Sequence, residues 1–363
     1  MKSQDLPVEH LSAVYDYHEG GIVDLQKPVD QTTYRLNPNA HYGFSVWEGM
    51  RCNKGNIFRL ADHAERLIKS AKITNTPFPE GWQDPEKEIE QGIIIASKQS
   101  IINTTGTGFY IRPRIYFAHG YMGPYQRGRN VTNYEVLTWP WEHLHSTDVI
   151  SSGTTAIVDE HSKTHQHREW LKAKTPSNYV FQLMELEKAK DKGYGDIIFL
   201  NKNGFVAETY GANIFFVKDS KVLTPSSDMP EIINGITRNS VIQLLKHGGL
   251  EVIEDLIPEN LMYECDEAFL TGTAVRIVPI TTIADKNEKK HLIGDGTPGE
   301  ITKKIYQSYL DAISDKTPAF KHWLTDVNVT RVNLTREELE ELEKIKSDQH
   351  PQGSLDECIQ QIL

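Results

Sequence analysis

The chain has 363 residues, of which 38% are hydrophobic and 25% are charged, a composition that suits two folded domains and excludes a largely disordered protein. Its net charge of -11 argues against a nucleic-acid partner and against binding to an anionic membrane. The sequence has no apolar run of the roughly 20 residues that a membrane span requires. It begins without an apolar signal core, and its cysteines (Cys52, Cys265 and Cys358) form no zinc or disulfide spacing, so we expect a cytoplasmic location.

The first part of the chain is predicted to mix short strands with two helices. The two helices and two longer strands are predicted at 59–74, 85–104, 109–118 and 136–141. Asp62, near the start of the first helix, suits the free amide groups there. Because Pro140 favours the end of a strand, we place an interdomain loop at 139–148 and a small N-terminal α/β domain at 1–138.

Residues 149–330 are predicted to form a larger C-terminal domain. Its predicted helices are 178–192, 237–247 and 298–314, and its predicted strands are 197–200, 205–208, 213–217, 221–224, 267–271 and 276–283. Asn203-Gly204 favours a hairpin turn between the first two of these strands. The polar segment 331–363 is expected to be a helical extension.

One lysine before a predicted helix is a candidate nucleophile. Lys174 precedes Pro176, which prevents a helix from running smoothly through this point, so the lysine would lie on a turn beside the positive end of the helix dipole. That position and partial burial would lower the pKa of its amine and make the amine nucleophilic. Lys172 meets the same local criteria, and most lysines are solvated, so this segment alone does not choose between the two.

Other residues at the ends of predicted elements are candidate ligands for an anionic small molecule. Glu208 ends a strand and could face a pocket or only protect a sheet edge. Residues 235–238 place a glycine directly before a helix, where free amide groups bind phosphate, and 272–274 offer a second turn of amides. Arg66 could clamp a phosphate with two hydrogen bonds, although a lone arginine is more often exposed.

Three histidines form a short cluster in a polar segment. His161, His165 and His167 have side chains that zinc favours, but no further ligands are evident nearby in the sequence. We therefore expect no metal site.

The order of these segments resembles that of the class IV aminotransferases, the fold-type-IV enzymes that use pyridoxal 5'-phosphate. Within them it is most similar to the branched-chain amino acid aminotransferases. The resemblance extends from about residue 41 to residue 283 and includes H-Y-G-F-S-V-W-E-G-M-R at 41–51 and N-G-I-T-R at 234–238. The other matching blocks are 58–67, 110–114, 174–179, 208–215, 222–225 and 266–274 with Pro279.

The resemblance implies pyridoxal 5'-phosphate as the cofactor and gives roles to individual residues. Lys174, and not Lys172, would form the Schiff base, Tyr179 would bond the phenolic oxygen, and Glu208 would pair with the pyridine nitrogen. The phosphate would be held by Arg66, Ile236, Thr237 and Thr273. The substrate pocket would be formed by Tyr42, Trp47, Tyr110, Arg112, Trp141, Gly272, Thr273 and Ala274.

The same resemblance implies an α/β (α+β) fold with a small α/β domain, a larger pseudo-barrel domain and a homodimer with the active site at its interface. The amino group of L-leucine, L-isoleucine or L-valine would pass to 2-oxoglutarate. Strand alternation would turn Tyr110 and Arg112 into the pocket. There Arg112 would receive the second carboxylate of glutamate, unless it only pairs with an acid such as Glu48.

Several positions depart from the family pattern. They are the segments 159–170 and 175–177, Tyr210 near the cofactor ring, Leu144 in place of a pocket aromatic residue, and the tail beyond residue 330. These departures leave open a transaminase for D-amino acids or (R)-amines, or an aminodeoxychorismate lyase. A binding protein without catalytic activity is a further alternative. It would not require Lys174, Glu208 and the phosphate residues together, so their joint presence argues against it.

Overall fold

The computed structural model describes residues 13–18, 20–23, 37–104, 108–120, 128–141, 149–163 and 168–327. The strands in this part of the chain are β1 (Ala13–Asp16), β2 (Gly21–Ile22), β3 (Ser45–Trp47), β4 (Met50–Asn53), β5 (Asn56–Phe58), β6 (Gly108–Gly120), β7 (Asn130–Trp139), β8 (Thr154–Ser162), β9 (Asp196–Leu200), β10 (Val206–Thr209), β11 (Asn213–Lys218), β12 (Lys221–Pro225), β13 (Val252–Asp255), β14 (Glu267–Gly272), β15 (Arg276–Ala284), β16 (Lys290–Leu292) and β17 (Leu324–Asp326). The α-helices are α1 (Pro38–Tyr42), α2 (Leu60–Ile73), α3 (Pro85–Asn103), α4 (Val149–Ser152), α5 (Pro176–Asp191), α6 (Ile236–His247) and α7 (Glu300–Ile313). Short 3-10 helices occupy Arg168–Lys172, Glu259–Tyr263 and Pro318–Trp323.

The strands form two sheets. The first sheet has the order β17-β5-β4-β6-β7-β1-β2, and β3 also pairs with β6. The second has the order β10-β9-β8-β15-β14-β11-β12-β13, with β16 paired to β15. Within it, β8 lies parallel to both β9 and β15. The expected mixture of helix and sheet is therefore confirmed.

Each sheet is covered by helices that bury an apolar core. In the first half, α2 packs on α3, and α3 packs on β1, β6 and β7 around Leu67, Ile93 and Ile111, whose side chains are fully buried. In the second half, α6 and α7 pack on each other and on β14. There the rings of Phe215 and Phe269 stack with their centres 5.0 Å apart. Burial of one such phenylalanine contributes about 1.5–3 kcal/mol to stability.

Local signals explain where the helices begin and end. The carboxylate of Asp84 accepts a hydrogen bond from the N–H of Lys87 at 3.3 Å, and Pro85 takes the first position of α3. Pro176 takes the same position in α5, and α6 ends at His247, directly before Gly248. The five predicted helices in this part of the chain agree with the observed ends to within two residues.

The main correction concerns β8, where the sequence analysis predicts no strand. Residues 159–162 of β8 are Asp-Glu-His-Ser and lack apolar alternation. β15 pairs with β8 at residues 154–157, and β9 pairs with it at 156–158 and, after a register shift, at Ser162, so neighbouring strands and not local pattern define β8. The strand predicted at 136–141 begins at Asn130 and ends at Trp139.

The predicted domain limits stay a prediction. β17 pairs with β5 in the first sheet although its residues lie within 149–330. Residues 142–148 of the predicted loop and the predicted extension 331–363 lie outside the described residues. None of the helices described is both long and apolar enough to cross a bilayer.

Candidate active site

A cavity of about 620 Å³ lies between the two sheets and collects most of the residues that the sequence singled out. Strands of the first sheet and helix α2 provide one side, and the second half of the chain provides the other. The predicted residues that line it are Trp47, Arg66, Tyr110, Arg112, Trp141, Lys174, Tyr179, Glu208, Ile236, Thr237, Gly272, Thr273 and Ala274.

Lys174 lies on the turn between the 3-10 helix Arg168–Lys172 and α5. Its backbone N–H donates to Oγ of Ser70 at 3.0 Å, and its carbonyl accepts from the N–H of Trp47 at 3.1 Å. Its Nζ donates to the hydroxyl of Tyr179 at 2.7 Å. Lys172 does not line the cavity, so the fold separates the two lysines that local sequence left undecided.

The environment of Lys174 favours its neutral amine. Burial lowers the pKa of Lys174 to about 8, and the positive charge of Arg66 acts in the same direction. Burial raises the pKa of Tyr179 above its usual range, so its hydroxyl remains protonated. An amine that titrates near pH 8 can both accept and return a proton under ordinary conditions.

Glu208 lies in β10 and is buried at the wall of the same cavity. Its Oε2 accepts hydrogen bonds from Nδ2 of Asn213 at 3.2 Å and from the N–H of Ile233 at 3.1 Å. Its Oε1 forms an ion pair with Nζ of Lys163. Local sequence indicates Glu208 as a site residue but none of these three partners, which reach it from other elements.

The start of α6 provides amide donors for an anion. Gly235 precedes the helix, and the N–H groups of Ile236 and Thr237 have no acceptor within its first turn. Arg66 reaches the same end of the cavity, where its Nη1 donates to the carbonyl of Asn234 at 3.0 Å.

Arg66 is held in place by a buried acid. Its Nε and Nη2 donate to the two carboxylate oxygens of Glu48 at 2.7 and 2.6 Å, and Nδ1 of His63 lies 2.8 Å from one of them. Burial alone would raise the pKa of Glu48, but the Arg66 guanidinium holds it well below its usual range. Glu48 is therefore the partner of Arg66, and the alternative in which it pairs with Arg112 is wrong.

Aromatic rings surround Arg112 at another side of the cavity. Its guanidinium carbon lies 4.1 Å from the ring centre of Trp47, 5.3 Å from that of Tyr110 and 5.6 Å from that of Trp139. Its Nη2 donates to the hydroxyl of Tyr110 at 3.4 Å, whereas its buried Nε has no hydrogen-bond partner in the described part of the chain. Trp141 extends the wall, with its ring centre 4.8 Å from that of Tyr110. The predicted orientation of residues 110 and 112 is confirmed.

A residue that the sequence analysis missed holds the turn at 272–274. Arg51 of β4 donates from Nε to the carbonyl of Thr273 at 2.7 Å and from Nη2 to that of Ala274 at 3.0 Å. Its Nη1 donates to the carbonyl of Trp141 at 2.7 Å. Arg51 thereby ties the first sheet to two segments of the cavity wall. It ends the matching block 41–51, which was the only signal in the sequence.

Three further positions from the sequence analysis are Tyr42, Tyr210 and Leu144, and the first two differ in whether they line the cavity. Tyr42 ends α1, is 53% exposed and does not line the cavity of its own chain. Tyr210 does line it, with its ring 6.1 Å from that of Tyr179 and nearly perpendicular to it. Leu144 lies outside the described residues.

His161 does not lie in a histidine cluster that the structure describes. It is exposed in β8, where its ring and the carboxylates of Asp159 and Glu185 come within 4.8 Å of one another. Glu185 is already paired with Nζ of Lys188 at 2.7 Å. The absence of a metal site stays a prediction, because His165 and His167 lie outside the described residues.

Comparisons with known proteins agree with this geometry. The sequence profile of amino-transferase class IV matches residues 45–283. A branched-chain-amino-acid aminotransferase of Pseudomonas aeruginosa is 30% identical over 313 residues, which cover 85% of this chain and 96% of that protein.

Solved structures show the same fold. The branched-chain aminotransferase of Thermoproteus uzoniensis with norvaline is 29% identical with a TM-score of 0.74, over 87% of this chain and 99% of that one. The enzyme of Thermobaculum terrenum in its PLP form is 27% identical with a TM-score of 0.76, over 88% and 100% of the two chains. The expected fold-type-IV architecture is therefore confirmed, and the chain belongs to the class IV aminotransferases.

Proposed function

We propose that the protein transfers the amino group of L-leucine, L-isoleucine or L-valine to 2-oxoglutarate, with pyridoxal 5'-phosphate bound at Lys174. The observation that carries this proposal is the meeting of Lys174, Glu208 and the start of α6 in one cavity. Relatives named as branched-chain aminotransferases support the choice of substrate.

The donor set suits this cofactor at each of its polar groups. Lys174 offers an amine that becomes neutral near pH 8, and Tyr179 lies 2.7 Å from that amine as a neutral hydroxyl donor. The amides of Ile236 and Thr237 suit the phosphate, and Glu208 suits a protonated ring nitrogen. When bound, the cofactor supplies an aldehyde and an electron-accepting ring.

The side chains of the cavity would then divide the chemical work. The amine of Lys174 would remove the proton from Cα of the substrate and deliver it to the carbon that the cofactor supplies as its aldehyde. Its lowered pKa suits both directions of this transfer. Glu208 would hold the ring nitrogen protonated, a charge-assisted contact of about 1.5–3 kcal/mol.

The substrate pocket would treat the two carboxylates of glutamate differently. The turn at Thr273 and Ala274 would bind the α-carboxylate that all substrates share. Trp47 and Trp141 would enclose a branched side chain, and because such walls distinguish single methylenes by only about 1–3 kcal/mol, all three branched amino acids should react. Arg112 and Tyr110 would bind the second carboxylate of glutamate.

We also propose a homodimer and a cytoplasmic location. Helix α5 follows Lys174 and leaves Val180, Phe181, Leu183 and Met184 between 41% and 59% exposed, which is an unusual apolar surface for a monomer. Tyr42, exposed outside its own cavity, would then reach the cavity of the other copy. Cys52 and Cys265 are buried free thiols, as expected in a reducing compartment.

A lysine-exchange experiment tests the cofactor assignment. Purified protein should show the visible absorption band of lysine-bound pyridoxal phosphate, Lys174→Ala should lose the band, and Lys172→Ala should keep it. A lysine-bound band that survives in Lys174→Ala would refute the assignment.

A panel of half-reactions with different amino donors tests the proposed substrate range. The absorbance of the bound cofactor should change with L-valine and L-glutamate and should not change with D-alanine or an (R)-amine. Reaction with either of the last two would replace the proposed substrates with those of another class IV transaminase.

A further inference from the structure

Lys163 is a buried cation behind the cavity. It follows β8, and its backbone N–H donates to the carbonyl of Leu200 in β9 at 2.7 Å, which fixes its position. Its ammonium group forms the ion pair with Oε1 of Glu208, and the two side chains are only 4% and 6% exposed. Glu208 lines the cavity, whereas Lys163 does not.

Hydrogen bonds use most of the accepting capacity of Glu208. A carboxylate has about four acceptor positions. Lys163 occupies one on Oε1, and Asn213 and Ile233 occupy two on Oε2. One position is left for a donor inside the cavity.

Stability alone is a weak reason for such a pair. The desolvation of two buried charges can exceed their attraction, and apolar side chains of similar size often serve a core equally well. Tyr179 of α5 and Arg238 of α6 are further ionisable groups near Glu208 in the described part of the chain. Arg238 bonds the carbonyl of Pro225 and the carboxylate of Glu254, so among the described residues Lys163 is the cation that forms an ion pair with Glu208.

We propose that Lys163 is a positioning residue for the transamination reaction. Its ion pair fixes the rotamer of Glu208, so that the remaining acceptor position points to the ring nitrogen of the bound cofactor. This role rests on the function proposed above, and it places a residue of the divergent segment 159–170 in direct support of the cofactor site.

Three variants of the full-length protein test this role. Lys163→Met removes the charge, Lys163→Arg restores it, and Lys163→Met with Glu208→Gln removes both members of the pair. Lys188→Met is the matched control, because it breaks a lysine–glutamate pair on α5 that does not involve Glu208. Melting temperatures of the cofactor-free proteins and kcat and KM of the L-valine half-reaction are measured for each.

Lys163→Met should lower kcat by about tenfold or more with KM changed less than about threefold, because the lost interaction serves the reacting ring and not the amino acid. Lys163→Arg should recover most of kcat, and Lys188→Met should leave it unchanged. Without cofactor, the double variant should have a higher melting temperature than Lys163→Met, because it leaves no unpaired buried charge.

Two results would overturn the role. One is a wild-type kcat in Lys163→Met, even with a lowered melting temperature, which would leave the pair purely structural. The other is a loss of kcat of about tenfold or more in Lys163→Arg relative to wild type. This second comparison does not need the methionine variant, so it decides the question even if Lys163→Met does not fold. The melting temperatures are measured without cofactor. They therefore test the Lys163–Glu208 pair even if wild-type protein does not bind pyridoxal phosphate and the proposed function itself is wrong.

Discussion

Replacement of Arg112 by leucine should separate glutamate from the branched-chain substrates. The guanidinium carbon lies 4.1 Å from the ring centre of Trp47, and its buried Nε has no hydrogen-bond partner among the residues that the structure describes. The guanidinium is therefore oriented by packing and can still receive a carboxylate. A hydrogen bond to a charged partner contributes about 1.5–3 kcal/mol, which corresponds to about 10–150-fold in kcat/KM. Leucine, valine and isoleucine carry no second carboxylate, and their kcat/KM should change by less than about threefold.

Steady-state kinetics in both directions check this expectation. Arg112→Lys is the matched control, because it keeps the charge but loses the planar fork, and it should give an intermediate loss for glutamate and 2-oxoglutarate. The melting temperature of Arg112→Leu is recorded as well, since the guanidinium also packs on Tyr110 and Trp139. An equal fall for leucine and glutamate would refute the reasoning and would make Arg112 a structural residue or a ligand of the α-carboxylate.

Three further perturbations have distinct expected outcomes. Arg51→Met removes three hydrogen bonds to the cavity wall and should raise KM for leucine and glutamate alike by about tenfold, measured by the same kinetics. Uptake of pyridoxal phosphate by cofactor-free protein should accelerate as pH rises through about 8, because the pKa of Lys174 lies there and only the neutral amine reacts; a rate that does not change from pH 7 to 9 would contradict this. Burial raises the pKa of the Asp196 carboxyl to about 7, above its unfolded value, so its contribution to stability is present at low pH and is lost as pH rises towards 7. The melting temperature of Asp196→Asn relative to wild type should therefore be higher at pH 8 than at pH 4, and the corresponding difference in the free energy of unfolding should be at most about 4 kcal/mol. The same difference from wild type at both pH values would show that the carboxyl is not responsible.

The local sequence pattern predicts most helices and strands, but it fails for a strand that forms through pairing with its neighbours. The helices α2 and α3 and the alternation of Tyr110, Ile111 and Arg112 follow from periodicity and agree with the fold. β8 does not follow from it, because its residues 159–162 are polar and the strand is defined by pairing of residues 154–157 with β15 and of 156–158 and Ser162 with β9. A pattern read along one segment contains no information about such neighbours.

The active site likewise contains residues that the sequence indicates and residues that only the structure identifies. Lys174 could be separated from Lys172 only through the order of matching blocks, since both lie in similar local sequence. Lys163 and Arg51 were missed because each acts on a partner far along the chain, 45 residues away for Glu208 and 222 for Thr273. Tyr42 was expected in the pocket, and the single chain leaves it exposed outside.

The contacts of Arg51 have a consequence for how the substrate range of this protein can change. Its hydrogen bonds to Trp141, Thr273 and Ala274 all end on backbone carbonyls, and none of these three depends on the side chain at the acceptor position. Side chains at these three positions can therefore be exchanged while the loops that carry them keep their place. A library of substitutions at 141, 273 and 274 should yield folded proteins with new amino acid preferences, whereas insertions or deletions in the turn at 272–274 would displace the acceptors and break the hydrogen bonds of Arg51 to this turn.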